Sequence, residues 1–291
     1  MLLFGRIHIL EVTKMKGFAY YNGKFAGADH ISIPLSDRSI YFGDGVYDMA
    51  LAKGDKIFDE ELHISRLLGN AERIGLAKKY SYDDIEEILT LTLRKAGYAA
   101  SSVYFQLSRG GDERIHSATS ASYVNLLVLI NDYSPPKESS PIKLTAEEDK
   151  RYFFCNIKTL NLFPAVMAST RAERLGFDET VFHRGATVTE CAHSNIAIVK
   201  DGILITHPTG ELILPGITRR RVLDICRDLG IDYSERAFTL PELFSADEIL
   251  ITSTTKLVRR ADSIDGISVG CRNEDVYSAI SGKLLQEYRE F

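Results

Sequence analysis

Asn156-Ile157-Lys158-Thr159-Leu160-Asn161 is the stretch on which the reading of this chain turns. A lysine stands between apolar neighbours in a run of strand-like composition, and burying an ammonium without a partner is costly. One economical use of such an amine is covalent, as the nucleophile that forms a Schiff base with an aldehyde. Two downstream segments hold what an aldehyde bearing a ring nitrogen and a phosphate would need. Thr187-Val188-Thr189-Glu190 offers a carboxylate. Leu214-Pro215-Gly216-Ile217-Thr218-Arg219 runs through a glycine into a helix start, where free N–H groups attract anions.

Working outward, Tyr20-Tyr21-Asn22-Gly23-Lys24-Phe25 reads as a hairpin, because Asn-Gly tolerates the positive φ angles of a tight turn. Ala197–Ile205, turning at Asp201-Gly202, is a second, and Lys53-Gly54-Asp55 a weaker third. Ile64, Leu67, Leu68, Ala71 and Ile74 keep a 3.6-residue period between Glu60 and Leu76. Ser81 then caps a helix bearing Ile85, Ile88, Leu89 and Leu93, with Gly97 as its stop. Further helices are expected at Pro164–Gly176, Thr218–Gly230 and Glu274–Tyr288. Strands are expected at Ser102–Arg109, Tyr123–Asn131, Thr180–Phe182, His193–Val199 and Glu248–Thr252. Pro135, Pro136 and Pro141 among polar residues mark a linker at 134–141. It separates a small domain, 1–133, from a larger one, 142–291, that carries Lys158. Strict βαβ alternation is missing, so the expected class is α+β rather than a doubly wound parallel sheet.

A length of 291 residues with 45% hydrophobic and 26% charged residues suits a globular enzyme, and a net charge of −5 argues against a general nucleic-acid binder. No apolar run approaches the ~20 residues a membrane span needs. Arg6, His8 and Glu11 interrupt the apolar start before a signal-peptide core develops, and residues 1–16 read as an extension. Cys155, Cys191, Cys226 and Cys271 are scattered without a CxxC pair and read as reduced thiols of a cytoplasmic protein. The histidines show no metal-ligand spacing, so no metal site is expected. Gly43-Asp44-Gly45 lacks the rest of a dinucleotide or P-loop fingerprint.

Pyridoxal 5′-phosphate asks a protein for an amine, an acid near its pyridine nitrogen and a phosphate cup. Lys158 is the candidate amine and Glu190 the candidate acid. Arg66, through its planar fork, the helix start at Ile217 and Thr218, and Thr254 are candidates for the phosphate. Taken singly, Lys158 is a snorkelling side chain, Glu190 a solvated carboxylate and Arg66 a helix surface charge. Their joint occurrence makes the case.

In order, Phe42-Gly43-Asp44-Gly45-Val46-Tyr47, His63-Ile64-Ser65-Arg66-Leu67, the lysine segment, Thr189-Glu190, Gly216-Ile217-Thr218-Arg219 and Thr252-Ser253-Thr254-Thr255 form a series. The series resembles the class IV (fold-type IV) pyridoxal-phosphate aminotransferases, from about Phe18 to Val269. The resemblance implies two α/β domains with the cofactor between them and a homodimer as the working unit. Arg114 and His116, on a loop after the strand containing Tyr104, are similar to the carboxylate trap of D-amino acid aminotransferases. There the pair reaches in from the partner subunit and acts with a tyrosine matching Tyr47. Which side of the pocket takes the carboxylate decides which enantiomer turns its α-hydrogen toward Lys158, and this favours D-amino acids.

The implied activity is ping-pong transamination from D-alanine to 2-oxoglutarate. A branched-chain L-amino acid aminotransferase and an aminodeoxychorismate lyase share the implied fold, and a non-catalytic cofactor-binding protein is the rival from another class. Tyr104 is a candidate substrate contact and Ser194 a candidate cofactor contact. Cys191-Ala192-His193 replaces the small Gly and Ser residues of the family, with His193 read as packed rather than catalytic. Asp48 stands where Glu is usual.

Overall fold

The computed structural model describes residues 15–76, 78–111, 113–118, 123–133 and 140–291. Asn22 and Gly23, at φ 45° and 94°, turn β1 (Phe18–Tyr21) onto β2 (Lys24–Gly27), as the Asn-Gly pair requires. A one-turn helix, α1 (Ser39–Phe42), leads into β3 (Gly45–Lys53), and Gly54 turns this strand onto β4 (Lys56–Ile57). Two helices follow, α2 (Glu60–Arg73) and α3 (Tyr82–Ala96). Ser81 and Asp84 form a reciprocal capping box on α3, and Gly97 closes it in the left-handed conformation. Strands β5 (Ala100–Gly110) and β6 (Tyr123–Asp132) complete a six-stranded antiparallel sheet of order β2-β1-β6-β5-β3-β4. Ile64 and Leu67 of α2 and Ile85 and Leu89 of α3 are fully buried in the core of this unit. Each contributes about 1.5–3 kcal/mol.

The second unit contains β7 (Ile142–Glu148), α4 (Phe163–Leu175), β8 (Glu179–Arg184), β9 (Thr187–Cys191), β10 (Asn195–Lys200), β11 (Ile203–Thr206) and α5 (Ile217–Leu229). After α5 come β12 (Tyr233–Glu235), β13 (Phe238–Thr239), α6 (Leu240–Phe244), β14 (Glu248–Ser253), β15 (Leu257–Ile264), β16 (Ile267–Ser268) and α7 (Glu274–Glu290). The ten strands form one sheet in the order β12-β11-β10-β14-β15-β7-β8-β9-β13, with β16 on β15. Only β11–β12, β15–β7 and β7–β8 run parallel among its described pairs, so the class is α+β. Leu51 and Phe58 of the first unit share a core with Leu223 of α5 and Leu284 of α7. Arg221 of α5 adds a salt bridge to Asp59, at the start of α2, at 2.7 Å. No described helix is long and apolar enough to cross a membrane.

The Lys158 segment is an irregular stretch hung on β3, joined by a lone bridge between Thr159 and Val46. Turns at Ile157 N–H to Phe154 C=O and Thr159 N–H to Ile157 C=O bend it away from any ladder. The strand expected from His193 begins at Asn195. Cys191 N–H donates to the Ser194 carbonyl and closes a turn that holds Ala192 and His193. Most of the expected linker, residues 134–139, and of the expected extension, residues 1–14, lies outside the described residues.

Candidate active site

A cavity of about 440 Å³ opens where the edge of β3 meets the second unit, a size suited to a small cofactor with its substrate. Tyr47 of β3 and Arg66 of α2 line one side. Lys158 enters from the stretch before α4, Glu190 from β9, and Thr252 and Thr254 from the end of β14. Gly216, Ile217 and Thr218 enter from the start of α5. Lys158 reaches this position because its segment is tied to β3 from both sides. Its carbonyl accepts from Tyr47 N–H at 2.9 Å, and Leu160 N–H donates to the Gly45 carbonyl at 3.1 Å. The half-buried Lys158 Nζ lies 4.5 Å from the centroid of the Tyr47 ring and makes no hydrogen bond or ion pair among the described residues.

Glu190 is buried and surrounded by donors. Arg151 Nη1 donates to Oε1 at 2.6 Å, while Asn195 Nδ2 and Leu214 N–H donate to Oε2 at 2.9 and 3.0 Å. Burial is the largest influence on its carboxyl and pushes it up to about 7, against the pull of Arg151 and the Leu214 amide. A further positive group brought to this carboxyl would hold it ionised. Arg151 is itself clamped by Asp149, which accepts from Nε and Nη2 at 3.0 Å each, and it lies over the Phe182 ring.

Arg66 is aimed by Asp48, whose two oxygens accept from Nε and Nη2 at 2.8 Å each, and by the Pro215 carbonyl, which accepts from Nη1 at 3.2 Å. His63 Nδ1 lies 2.7 Å from Asp48 Oδ1. Burial pushes the Asp48 carboxyl up, but Arg66 and His63 outweigh it and hold it well below the usual carboxylate range. The guanidinium thus stands beside the start of α5, a helix that no side chain caps. A Cβ on Gly216 would come 2.0 Å from Asn195 Oδ1, so only glycine lets the helix start approach this closely. The Thr252 hydroxyl, buried on the cavity wall, has no hydrogen-bond partner among the described residues. An uncapped helix start, an aimed guanidinium and nearby hydroxyls are the donor set for a phosphate. An acid among donors suits a ring cation, and a free amine suits an aldehyde.

Of the residues expected from sequence, Tyr47, Arg66, Lys158, Glu190, Ser194, Ile217, Thr218 and Thr254 line this one cavity. Ser194 does so with its hydroxyl donated to buried Glu179 at 2.7 Å. Tyr104 does not line it. Its ring stacks on Tyr47 with centroids 5.4 Å apart, and its hydroxyl donates to Gln106. Arg114 and His116 are also outside, on an exposed loop packed against Phe42, 5.2 and 5.4 Å from the centroid of that ring. His193 lines the cavity with Nε2 3.1 Å from Glu179 Oε2 and Nδ1 3.4 Å from Ser169 Oγ. Burial lowers its affinity for a proton against the opposing pull of Glu179, and Lys256 and Lys158 act with burial. The cavity cysteines are poor nucleophiles, since burial pushes Cys155 up to about 11 and Cys191 well above the usual thiol range.

Sequence reasoning missed Arg151 and Asn195, the partners that fix Glu190. A buried carboxylate implies a cation somewhere, but nothing in the sequence selects one 39 positions away. It noted Asp48 only as a shortened side chain. The carboxylate lies within hydrogen-bond reach of both His63 and Arg66, which sit three apart on one face of α2.

The family described as amino-transferase class IV matches residues 45–264. A D-alanine aminotransferase of Staphylococcus epidermidis is 35% identical over 275 residues, covering 94% of this chain and 96% of that protein. Among solved structures, the branched-chain aminotransferase of Thermoproteus uzoniensis with norvaline superposes with a TM-score of 0.82 at 22% identity, covering 92% and 96% of the two chains. The branched-chain amino acid aminotransferase of Escherichia coli gives 0.81, at 20% identity and 92% and 94% coverage.

Proposed function

The chain belongs to the class IV aminotransferases, and from that premise we propose that it transfers the amino group of a D-amino acid, D-alanine first, to 2-oxoglutarate in a ping-pong cycle with pyridoxal 5′-phosphate. One observation carries the reading. A free lysine amine, a buried carboxylate among donors and an uncapped helix start with an aimed arginine face a single cavity. When bound, the cofactor supplies an electron sink for the charge left on the substrate α-carbon.

Lys158 Nζ would hold the cofactor covalently and, once the substrate amine has displaced it, would be the free amine that takes the proton from the substrate α-carbon. Glu190, its carboxylate oriented by Arg151, Asn195 and the Leu214 amide, would hold the proton on the ring nitrogen. Arg66, the N–H groups of Ile217 and Thr218, and the Thr254 hydroxyl hold the phosphate. Tyr47, its ring backed by Tyr104, takes part in holding the substrate carboxylate.

Arg114 and His116 bind the same carboxylate from the partner of a homodimer. Their exposure outside the cavity of their own chain supports a loop that serves a neighbouring one. Residues 1–133 and 142–291 act as the two domains that enclose the cofactor. The test is a panel of D-alanine, L-leucine and aminodeoxychorismate with 2-oxoglutarate as acceptor, read by 2-oxo acid release and by the cofactor's absorption band. Turnover of L-leucine alone overturns the D-specific reading, and a band that no donor converts, with no 2-oxo acid released from any of them, points to a binding protein without turnover.

A further inference from the structure

Gly43-Asp44-Gly45 is marked out by the sequence yet takes no part in the cavity chemistry, and the contacts around it lead to a residue with no assigned role. The Asp44 carboxylate accepts from Arg38 Nε at 2.8 Å and from Arg109 Nε at 3.1 Å. With Nε held in this way, Arg38 turns the other end of its guanidinium to two main-chain carbonyls. Nη1 donates to Ile115 at 2.5 Å and Nη2 to His116 at 3.0 Å. The side chain is only 6% exposed, although the loop it grips is exposed throughout Glu113–Ser117. Ile115, the one large apolar residue there, is 43% exposed, so apolar burial does not hold this loop.

The Phe42 ring completes the arrangement. The Arg38 guanidinium lies 4.6 Å from its centroid, that of Arg114 5.2 Å, and the His116 ring centroid 5.4 Å. The opposite side of the same short segment grips the lysine stretch. Asn161 Nδ2 donates to the Gly43 carbonyl, and a Cβ on Gly43 would lie 2.8 Å from Asn161 Oδ1.

We infer that Arg38, braced by Asp44, is the positioning residue of the Arg114–His116 loop and fixes the direction in which these two side chains meet a substrate carboxylate. The inference deepens the proposed function and rests on the carboxylate-binding role given there to Arg114 and His116. A planar fork suits the task. One guanidinium spans a carboxylate and two carbonyls in fixed relative directions, whereas a lysine ammonium has no such fork. Because Arg38 touches neither Lys158 nor the cofactor-binding groups, its loss acts on acid binding and leaves cofactor loading alone.

The experiment compares the holoenzyme with Arg38→Met, Arg38→Lys, Asp44→Asn and the Arg114→Ala/His116→Ala double variant. It also includes Arg38→Met placed in that double variant. KM and kcat for D-alanine and 2-oxoglutarate are read together with the cofactor absorption band. Losing the charged hydrogen bonds of Arg38 raises KM for both acids about ten- to hundred-fold, with an unchanged band and a much smaller change in kcat. Arg38→Lys does not restore KM, and Asp44→Asn gives a smaller rise in the same direction. In the double variant, Arg38→Met adds nothing further, because the groups it positions are already gone.

A double variant that leaves KM unchanged removes the carboxylate-binding reading itself. A double variant that raises KM beside an Arg38→Met enzyme that does not overturns the positioning role alone, as does a fully additive effect of Arg38→Met in the double variant. If Arg38→Met does not fold, Asp44→Asn decides, and an unchanged KM there overturns the inference.

Discussion

Arg151→Met tests how the cavity controls the charge on Glu190. The substitution keeps an unbranched side chain over Phe182 and removes the only cation hydrogen-bonded to the Glu190 carboxyl among the described residues. Asp149 keeps Arg184 Nε and the Thr189 hydroxyl, both at 3.2 Å, so its charge stays compensated. Glu190 keeps only the neutral donors Asn195 and Leu214 N–H. Breaking a buried pair by deleting one partner costs about 3–5 kcal/mol when the survivor stays charged.

Glu190 escapes part of that cost by taking a proton, and this sets the pH dependence. In the intact cofactor-free protein burial raises its carboxyl to about 7, above its value in the unfolded chain. Stability from this group is therefore present at low pH, is lost as pH rises to about 7, and is flat beyond. Without Arg151 the folded carboxyl titrates higher still, so the loss continues above pH 7 at about 1.4 kcal/mol per pH unit. Denaturant unfolding of cofactor-free protein at pH 6, 7, 8 and 9 should show the gap between intact and Arg151→Met proteins widening with pH. Adding Glu190→Gln should remove the widening. Parallel curves for the intact and Arg151→Met proteins would refute the account.

Other outcomes follow from single contacts. Lys158→Ala abolishes transamination and the covalent cofactor band, but the melting temperature barely moves, because Nζ makes no hydrogen bond or ion pair among the described residues and its ring contact is worth about 0.5–1 kcal/mol. Gly216→Ala puts a Cβ 2.0 Å from Asn195 Oδ1 and displaces a donor to Glu190. It costs about 1–3 kcal/mol of stability and weakens cofactor binding, measured by fluorescence titration. His193→Ala leaves Glu179 its bonds from Ser194 and the Thr180 amide and opens the cavity wall beside Ser169. The ratio of kcat/KM for D-leucine over D-alanine then rises about tenfold or more, and an unchanged ratio places His193 away from the substrate side chain.

Much of the fold was legible because its signals are local. Asn22-Gly23 and Asp201-Gly202 have positive φ where the hairpins turn. Ser81 with Asp84, then Gly97, Gly176 and Gly230, start or stop helices close to where the pattern placed them. These choices depend on the sterics of a few consecutive residues. The His193 boundary was missed by two residues because the turn is closed by a backbone bond, Cys191 N–H to the Ser194 carbonyl, which residue types do not reveal. Around Lys158, likewise, apolar neighbours do not distinguish a strand from a segment hung on one.

The chain alone determined which chemistries were at hand, an amine, an acid and an anion-attracting helix start, because residue types and the glycine before α5 are written in it. Tertiary structure alone decided which cation faces Glu190 and which carboxylate aims Arg66. Those pairings join positions far apart in the chain, and a charge in a sequence carries its sign but not its direction. Direction is set only when the two sheets pack and bury the groups between them.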